Sequence, residues 1–188
     1  MVIKKDEALK NRYLPDILDR DGVCIIPCDT IYGFIGITST SESKIQEIKG
    51  RKEDHPFLRL VHSKEMLQML TDARIDDEIL SFWPGPLTVV VPFRGGGTIG
   101  VRVPDDTFLI RLLEIIEKPL ISTSVNRSGQ KPMNRIDDIV NHFEESVDCI
   151  VDGGDMEGKT PSTVLDISVK PYRILRIGAC TIPPRLLE

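Results

Sequence analysis

Aromatic residues are scarce in this 188-residue sequence, at 5% of the chain, and they form no cluster. Single-stranded nucleic acids are usually held by stacking bases on aromatic side chains, so this scarcity argues against that kind of binding. Lysine and arginine number 24 against 29 acidic residues, which gives a net charge of −5. A generic nucleic-acid coat would be basic overall, although a local basic groove stays compatible with the sequence.

Cysteine, histidine and long apolar runs are also rare. The four cysteines form no CxxC pair, and the three histidines have no ligand spacing with them, which predicts reduced structural thiols and no metal site. No Ser-His-Asp context or close carboxylate pair indicates hydrolytic chemistry. The longest apolar runs, such as 87–91, fall far short of the roughly 20 residues that a bilayer demands. With no signal peptide, we expect a cytoplasmic protein without a membrane partner.

Short apolar strands alternate with modest helices along the chain. Strands are predicted at 23–26, 57–61, 87–91, 99–103, 120–124, 149–152, 162–167 and 172–176. Helices are predicted to begin near Ser39, Ser63, Asp76, Asp105 or Asp106, and Ile136. Some successive strands lack a crossover helix, so we expect an α/β fold with a twisted, mixed parallel and antiparallel sheet and flanking helices. The length fits a single domain over residues 1–188.

One segment matches a phosphate-loop pattern but lacks its physical context. Residues 153–160 satisfy GxxxxGK[ST] after a predicted strand. A phosphate loop needs the N-terminus of a following helix, whereas here Pro161 and a β-branched run follow at once. Asp155 and Glu157 would add negative charge beside the phosphates. The segment is therefore interpreted as a glycine-rich connection between two strands.

Two other polar segments leave alternatives open. Residues 49–52, Lys-Gly-Arg-Lys, follow a helix end, where cations either satisfy the last carbonyls or grip a polyphosphate across the glycine. Residues 122–129 carry five small hydrogen-bonding side chains at the end of an apolar strand. Such residues line a ligand site at the carboxyl end of a strand, or they form a simple polar turn.

Taken in order, eight segments resemble the YrdC-type threonylcarbamoyl-AMP synthase family. They are PCDTIYG (27–33), KGR (49–51), FWPGPLT (82–88), GVRVPDD (100–106), STSVNRSG (122–129), VDGG (151–154), STVLD (162–166) and ILRIGA (174–179). Together they span about residues 22–179. The resemblance implies a YrdC-like fold with a concave basic cleft, and this chain is too short to include the extra C-terminal domain of the family's longer members.

The resemblance also implies a reaction. Family members are nucleotidyltransferases that condense L-threonine, bicarbonate and ATP, with Mg²⁺ accompanying the ATP, into L-threonylcarbamoyladenylate and pyrophosphate. The product is handed to a tRNA threonylcarbamoyl-transferase complex, and contact with tRNA is a further expectation. Attack of a carbamate oxygen on the α-phosphate needs alignment and charge neutralisation rather than a protein nucleophile.

Site residues follow from the same resemblance, position by position. Lys49 and Arg51 would act as catalytic residues that hold the triphosphate. The expected ATP contacts are Arg51, His55, Thr98, Ser124, Asn126 and Arg176. The expected threonine contacts are Thr30, Arg102, Ser122 and Ser162, with Arg102 pairing with the carboxylate. The positive lining of the cleft would come from Lys49, Arg51, Arg59, Arg102, Arg127, Lys131 and Arg176.

The sequence departs from the family pattern at three places, and two of them, Leu60 and the loop 130–134, lie where substrate selection is expected. Lys52 replaces a proline after the KxR motif, and Leu60 stands where some members have a threonine-contacting histidine. In the loop 130–134, Pro132 stands in place of a serine that contacts ATP. These departures leave a relative that uses another substrate as one alternative to the synthase. A second alternative is an RNA-binding module of the same fold without ATP turnover, since a basic cleft also suits a phosphate backbone.

Overall fold

A single ten-stranded sheet forms the centre of the computed structural model, which describes residues 1–51 and 57–187. Its strands are β1 (Val2–Lys4), β2 (Cys24–Pro27), β3 (Tyr32–Gly36), β4 (Leu58–Leu60), β5 (Leu87–Pro92), β6 (Thr98–Arg102), β7 (Leu120–Ser124), β8 (Cys149–Asp152), β9 (Thr163–Asp166) and β10 (Arg173–Arg176). The α-helices are α1 (Tyr13–Asp19), α2 (Ser39–Lys49), α3 (Lys64–Gln68), α4 (Asp77–Leu80), α5 (Thr107–Ile116) and α6 (Ile136–Phe143).

The strands lie in the order β1-β8-β2-β3-β7-β4-β6-β5-β9-β10. The pairs β1/β8, β2/β8, β4/β6 and β5/β9 are parallel, whereas β2/β3, β3/β7, β4/β7, β5/β6 and β9/β10 are antiparallel. The predicted mixed sheet is therefore confirmed. Strands that are distant in sequence, such as β3 and β7, become neighbours, and this brings the polar segments of the sequence together.

The structure contains three elements that the sequence does not predict: β1, α1 and β3. Strand β3 lies in the middle of the sheet, between β2 and β7. Its glycines, Gly33 and Gly36, weaken the strand pattern because glycine has low strand propensity. The polar turn before it is closed by a hydrogen bond from Cys28 N to Ile31 O at 3.3 Å, so β2 and β3 form a tight hairpin. Tertiary pairing on both sides then compensates for the weak local signal.

Helix α2 is capped one residue earlier than the sequence predicts. The Thr38 side chain accepts a hydrogen bond from Ser41 N, and Ser41 Oγ accepts one from Thr38 N, which makes a reciprocal capping box. The box predicted from Ser39 and Glu42 is therefore wrong. Glu42 instead binds Arg59 on β4, with 2.7 Å between Arg59 Nη2 and Glu42 Oε2. At the other end, Gly50 stops the helix with φ 61°, as predicted.

Both faces of the sheet around β2 and β3 are covered by apolar side chains. Because side chains alternate along a strand, Cys24 and Ile26 join one core cluster, while Val23 and Ile25 join the other. The first cluster is completed by helices α1 and α5, and the second by α2 and α6. In the second cluster the rings of Phe34 and Phe143 meet edge to face, with centroids 5.1 Å apart.

Truncation of Phe143 should destabilise the fold because its ring is fully enclosed in the second cluster. We expect Phe143→Ala to lower the free energy of unfolding by about 3–5 kcal/mol, measured by urea denaturation. Met69→Ala is the matched control, since Met69 is 58% exposed, and it should change the free energy of unfolding by about 0.5 kcal/mol or less. Equal losses in both variants would contradict this account of the core.

Candidate functional site

A pocket of about 360 Å³ lies over the neighbouring strands β3, β7, β4, β6, β5, β9 and β10 and the turn that follows β2. Alternate residues of neighbouring strands line it, such as Thr88 and Val90 on β5 and Gly100 and Arg102 on β6. Seven of the predicted site residues are among the residues that line it: Thr30, Arg51, Arg102, Ser122, Ser124, Ser162 and Arg176. Residues separated by up to 146 positions in the chain (30 to 176) thus share one cavity.

The other four predicted residues are placed differently. Lys49 and Asn126 lie beside the pocket and bind Ser124 at its edge. Thr98 is exposed at the start of β6, two residues before Gly100 of the pocket wall and therefore on the same face of the strand. His55 lies outside the described residues.

The Lys49 ammonium holds the end of β7. Its Nζ donates to Ser124 O at 2.6 Å, to Asn126 O at 3.1 Å and to Asn126 Oδ1 at 2.8 Å. Ser124 Oγ donates to the same Asn126 Oδ1 at 2.7 Å, and Asn126 Nδ2 donates to the carbonyls of Arg127 and Gln130. Burial, with a smaller effect of the Arg51 charge, lowers the pKa of Lys49 to about 8. These bonds fix the polar segment 122–129, and a contact of Lys49 with triphosphate stays a prediction.

The end of α2 is tied to the same polar segment. The carbonyl of Lys49 accepts a hydrogen bond from Ser128 N at 2.7 Å, and the carbonyl of Ile48 accepts one from Arg127 Nη1. The last carbonyls of the helix are therefore bonded by residues 127 and 128. Arg51, the next cation along the chain, stacks over the Phe57 ring at 4.7 Å and lines the pocket.

Arg102 lies at the base of the pocket in a buried ion pair. Its Nη1 donates to both carboxylate oxygens of Asp29, at 2.6 and 2.5 Å, and the two side chains are only 3% and 6% exposed. The backbone N–H of Asp105 also donates to Asp29, at 3.2 Å. Arg102 Nε is buried and has no hydrogen-bond partner among the residues that the structure describes. In the structure the partner of Arg102 is Asp29 of the chain itself, and the expected contact of Arg102 with the carboxylate of threonine stays a prediction.

A second guanidinium group shares the pocket with Arg102. Arg176 donates from Nε and Nη2 to Ser162 O, at 3.0 and 2.9 Å, and from Nη2 to Ser162 Oγ at 3.1 Å. Ser162 Oγ is also within 2.8 Å of Thr88 Oγ1. Burial, followed by the charge of Arg102, lowers the pKa of Arg176. Arg51, Arg102 and Arg176 thus line one pocket, and Asp29 balances the charge of Arg102.

Two residues of the site were absent from the sequence-based set. Asp29 and Thr88 lie within the motifs PCDTIYG and FWPGPLT, but no pattern in the sequence says which motif residues face a cavity. Asp29 could be found only from its pairing with Arg102, and Thr88 only from the face of β5 that it occupies. The energetic cost of placing such a polar group in the protein depends on how deeply it is buried, and burial is known only once the fold is known.

Gly33 and the unreactive thiol of Cys28 pack closely against Ser122 in the pocket wall. A side chain at Gly33 would bring its Cβ within 3.2 Å of both Cys28 Sγ and Ser122 Oγ. Burial raises the pKa of Cys28 to about 12, so its thiol stays protonated and is a poor nucleophile. All four cysteines are free in the structure, as the sequence predicts for structural thiols.

The segment 153–162 contains no phosphate loop. It leads into strand β9, and no helix follows Lys159 and Thr160. Its start is fixed by the Tyr32 hydroxyl, which accepts from Gly153 N and donates to Gly154 O, both at 2.9 Å. Lys159 Nζ reaches the carbonyl of Asp29 at 3.3 Å. The segment therefore crosses the edge of the pocket as a strand connection.

Leu60 and the loop 130–134, where the chain departs from the family pattern, lie in different surroundings. Leu60 is fully buried in the first core cluster and does not line the pocket. In the loop, Asn134 Oδ1 accepts a hydrogen bond from Tyr32 N at 3.2 Å, and Met133 N donates to Val125 O at 2.7 Å. The loop thus anchors β3 to the polar segment that follows β7.

Residues 1–51 and 57–187 contain no group of three or more His, Cys, Asp or Glu side chains that could hold a metal ion. Within the same ranges, none of the helices has the length and apolar character needed to cross a membrane. A larger pocket of about 730 Å³ lies between α3, α4 and Trp83, and none of the predicted site residues lines it.

Comparison with known proteins identifies the family. The family model of Sua5/YciO/YrdC, described as telomere recombination, matches residues 16–178. The chain belongs to this family. The threonylcarbamoyl-AMP synthase of Pyrococcus abyssi is 31% identical over 192 residues, covering 94% of this chain and 56% of that protein. The chain therefore spans about half the length of this curated relative.

Solved structures of family members share the fold. The P. abyssi Sua5 structure complexed with L-threonine matches with a TM-score of 0.83 at 28% identity, covering 95% of this chain and 57% of that chain. E. coli YciO matches with a TM-score of 0.78 at 24% identity, covering 90% of this chain and 89% of that chain, which shows the fold alone. The expected YrdC-like fold is confirmed.

The buried ammonium of Lys49 should make stability depend on pH. Between the folded pKa of about 8 and the ordinary value of 10.5, the unfolded chain binds more protons at Lys49 than the folded chain. The free energy of unfolding should therefore rise with pH across this window, and below pH 8 the full cost of burying the charge remains. Lys49→Met should remove this contribution.

Urea denaturation at several pH values between about 7.5 and 10 measures this effect as the difference between wild type and variant. Lys44→Met is the matched control, because Lys44 is an exposed lysine of the same helix that bonds only the carbonyl of Asp21 in the described structure. It should keep the wild-type slope. The same slope in Lys49→Met would contradict a lowered pKa at Lys49.

Proposed function

We propose that this chain is an L-threonylcarbamoyladenylate synthase, a nucleotidyltransferase that condenses L-threonine, bicarbonate and ATP and releases pyrophosphate. We further propose that residues 1–188 act as a single YrdC-like domain. One observation carries the proposal: residues expected to contact threonine and residues expected to contact ATP, scattered over the sequence, line the same 360 Å³ pocket. Family membership and the threonine complex of a 28% identical relative support it.

The threonine end of the pocket would be the part around Arg102. The partnerless Nε of Arg102 can donate to a carboxylate, and charge-assisted hydrogen bonds of this kind are strong inside a low-dielectric site. The hydroxyls of Thr30, Ser122 and Ser162 are buried or nearly so, and they line the same cavity. This combination suits the carboxylate, amine and hydroxyl of a small polar amino acid.

The ATP end would be formed by Arg51, Arg176 and the segment after β7. The two arginines supply positive charge for the phosphates, and Ser124 and Asn126 supply short polar groups. Apolar side chains on the neighbouring strands give a surface for the base: Leu58, Val90, Val164 and Leu175. Thr98 at the rim and His55, outside the described residues, complete the proposed ATP contacts.

The reaction would proceed without a protein nucleophile. The threonine amine bonds to the bicarbonate carbon with loss of water, and an oxygen of the resulting carbamate attacks the α-phosphorus as pyrophosphate departs. Arg51 and Arg176 would neutralise the charge that develops on the phosphates, and Arg102 would hold the carboxylate in line. Mg²⁺ would arrive with ATP; the described residues provide no ligand cluster for it, so we assign it no protein ligands and no step.

The proposal includes the fate of the product. Threonylcarbamoyladenylate is a mixed anhydride, so a transferase must take it up before water does, which places a tRNA threonylcarbamoyl-transferase complex as the partner. Contact with tRNA and a cytoplasmic location belong to this proposal.

Pyrophosphate release by the purified protein tests the proposal directly. With Mg-ATP and bicarbonate, release should depend on added L-threonine and should be weaker with L-serine and absent without an amino acid. Release that depends on a different amino acid would identify a relative with another substrate. No release, together with tight and salt-sensitive binding of RNA, would contradict the synthase and support the RNA-binding alternative.

Arg176→Ala should damage ATP use because it removes one of the three guanidinium groups that line the pocket. We expect kcat/KM for ATP to fall by about 10²-fold, measured by the pyrophosphate assay at saturating threonine. Arg173→Ala is the matched control, since Arg173 is an exposed arginine of the same strand that does not line the pocket. Equal activity of the two variants would overturn the role of Arg176.

A further inference from the structure

The carboxylate of Asp29 is buried and accepts more hydrogen bonds than a carboxylate in a typical surface ion pair. Both of its carboxylate oxygens accept from Arg102 Nη1, and one of them also accepts from the backbone N–H of Asp105. Its own carbonyl accepts from Lys159 Nζ at 3.3 Å. With 6% exposure of its side chain, Asp29 is held from several directions within the β2–β3 turn.

One donor of Arg102, its Nε, has no hydrogen-bond partner among the described residues. A guanidinium group has five N–H donors in a fixed planar arrangement, so occupying Nη1 orients the whole plane. Nε then stays buried without a partner in the described structure, while Arg102 lines the pocket. A buried donor without an acceptor is costly, and a carboxylate that enters the pocket would remove this cost.

We infer that Asp29 is a positioning residue that orients the Arg102 guanidinium so that its Nε edge receives the carboxylate of the amino-acid substrate. This inference rests on the proposed function for the identity of the substrate. In this arrangement the Asp29–Arg102 pair stays intact when the substrate binds, and Asp29 balances part of the positive charge of the pocket. Asp29 touches Arg102 and does not itself need to touch the substrate.

A second arrangement gives the opposite expectation. If Asp29 only occupied Arg102 until the substrate displaced it, removing its charge would make threonine bind more tightly. The structure favours positioning, because a displaced Asp29 would leave a carboxylate buried among protein groups without its counter-ion, which is strongly unfavourable. The two arrangements therefore predict opposite changes in KM for threonine.

Steady-state kinetics with Asp29→Asn distinguishes the positioning arrangement from the displacement arrangement. We expect KM for L-threonine to rise by about 10-fold or more, while KM for ATP changes by about 2-fold or less, because neither Asp29 nor Arg102 is a proposed ATP contact. Asp29→Glu, which keeps the charge, should recover part of the loss. A lower or unchanged KM for threonine in a folded Asp29→Asn protein would overturn the inference.

Asp105→Asn is the matched control. It makes the same change of charge next to the same ion pair, but only the backbone N–H of Asp105 binds Asp29, and the substitution preserves it. We expect its KM values to remain within about 2-fold of wild type. An effect as large as that of Asp29→Asn would mean that general electrostatics, rather than orientation of Arg102, controls threonine binding, and would overturn the inference.

A spectroscopic measurement keeps this test separate from the test of the proposed function. In the wild-type protein the NMR signal of the Arg102 Nε–H should be sharp and slow to exchange, and in Asp29→Asn it should broaden or disappear. If wild type shows no threonine-dependent pyrophosphate release but the signal behaves in this way, the proposed function fails and the positioning role stands. If release is observed but the Arg102 signal and the threonine KM are the same in both proteins, the positioning role fails.

Discussion

The buried charge of Arg102 is the constraint on which the rest of the pocket depends. A guanidinium group that is 3% exposed requires a counter-ion and good hydrogen-bond geometry, and Asp29 supplies both. Asp29 can do so only because the tight turn between β2 and β3 brings it to the end of β6. The order of strands, the β2–β3 hairpin and the position of the pocket are thus linked through one ion pair.

A second buried cation organises the opposite side of the site. The Lys49 ammonium binds the chain at Ser124 and Asn126, so the end of helix α2 and the end of strand β7 are held together from inside. The sequence leaves this segment as either a polar turn or a ligand site, and the structure shows that it is a turn fixed by internal bonds whose edge also lines the pocket. Ser124 therefore both takes part in these internal bonds and lines the pocket.

Much of the fold could be predicted from the sequence, because apolar runs and capping residues act locally. All eight predicted strands are present, and helix α6 begins at Ile136 as predicted. Strand β3 could not be predicted, since its glycines weaken the local pattern and pairing with β2 and β7 decides its conformation. For the site, the motifs identify Arg102 and Ser162, whereas Asp29 and the internal bonds of Lys49 depend on contacts between distant segments.

The proposed function requires one pocket to join an amino-acid carbamate to the α-phosphate of ATP. Mass spectrometry of the product formed from ¹³C-labelled bicarbonate, L-threonine and Mg-ATP tests this most directly. We predict a compound with the mass of threonylcarbamoyladenylate that carries one ¹³C atom and appears together with pyrophosphate. Formation of AMP or ADP without any labelled adenylate, by a folded protein, would contradict the account.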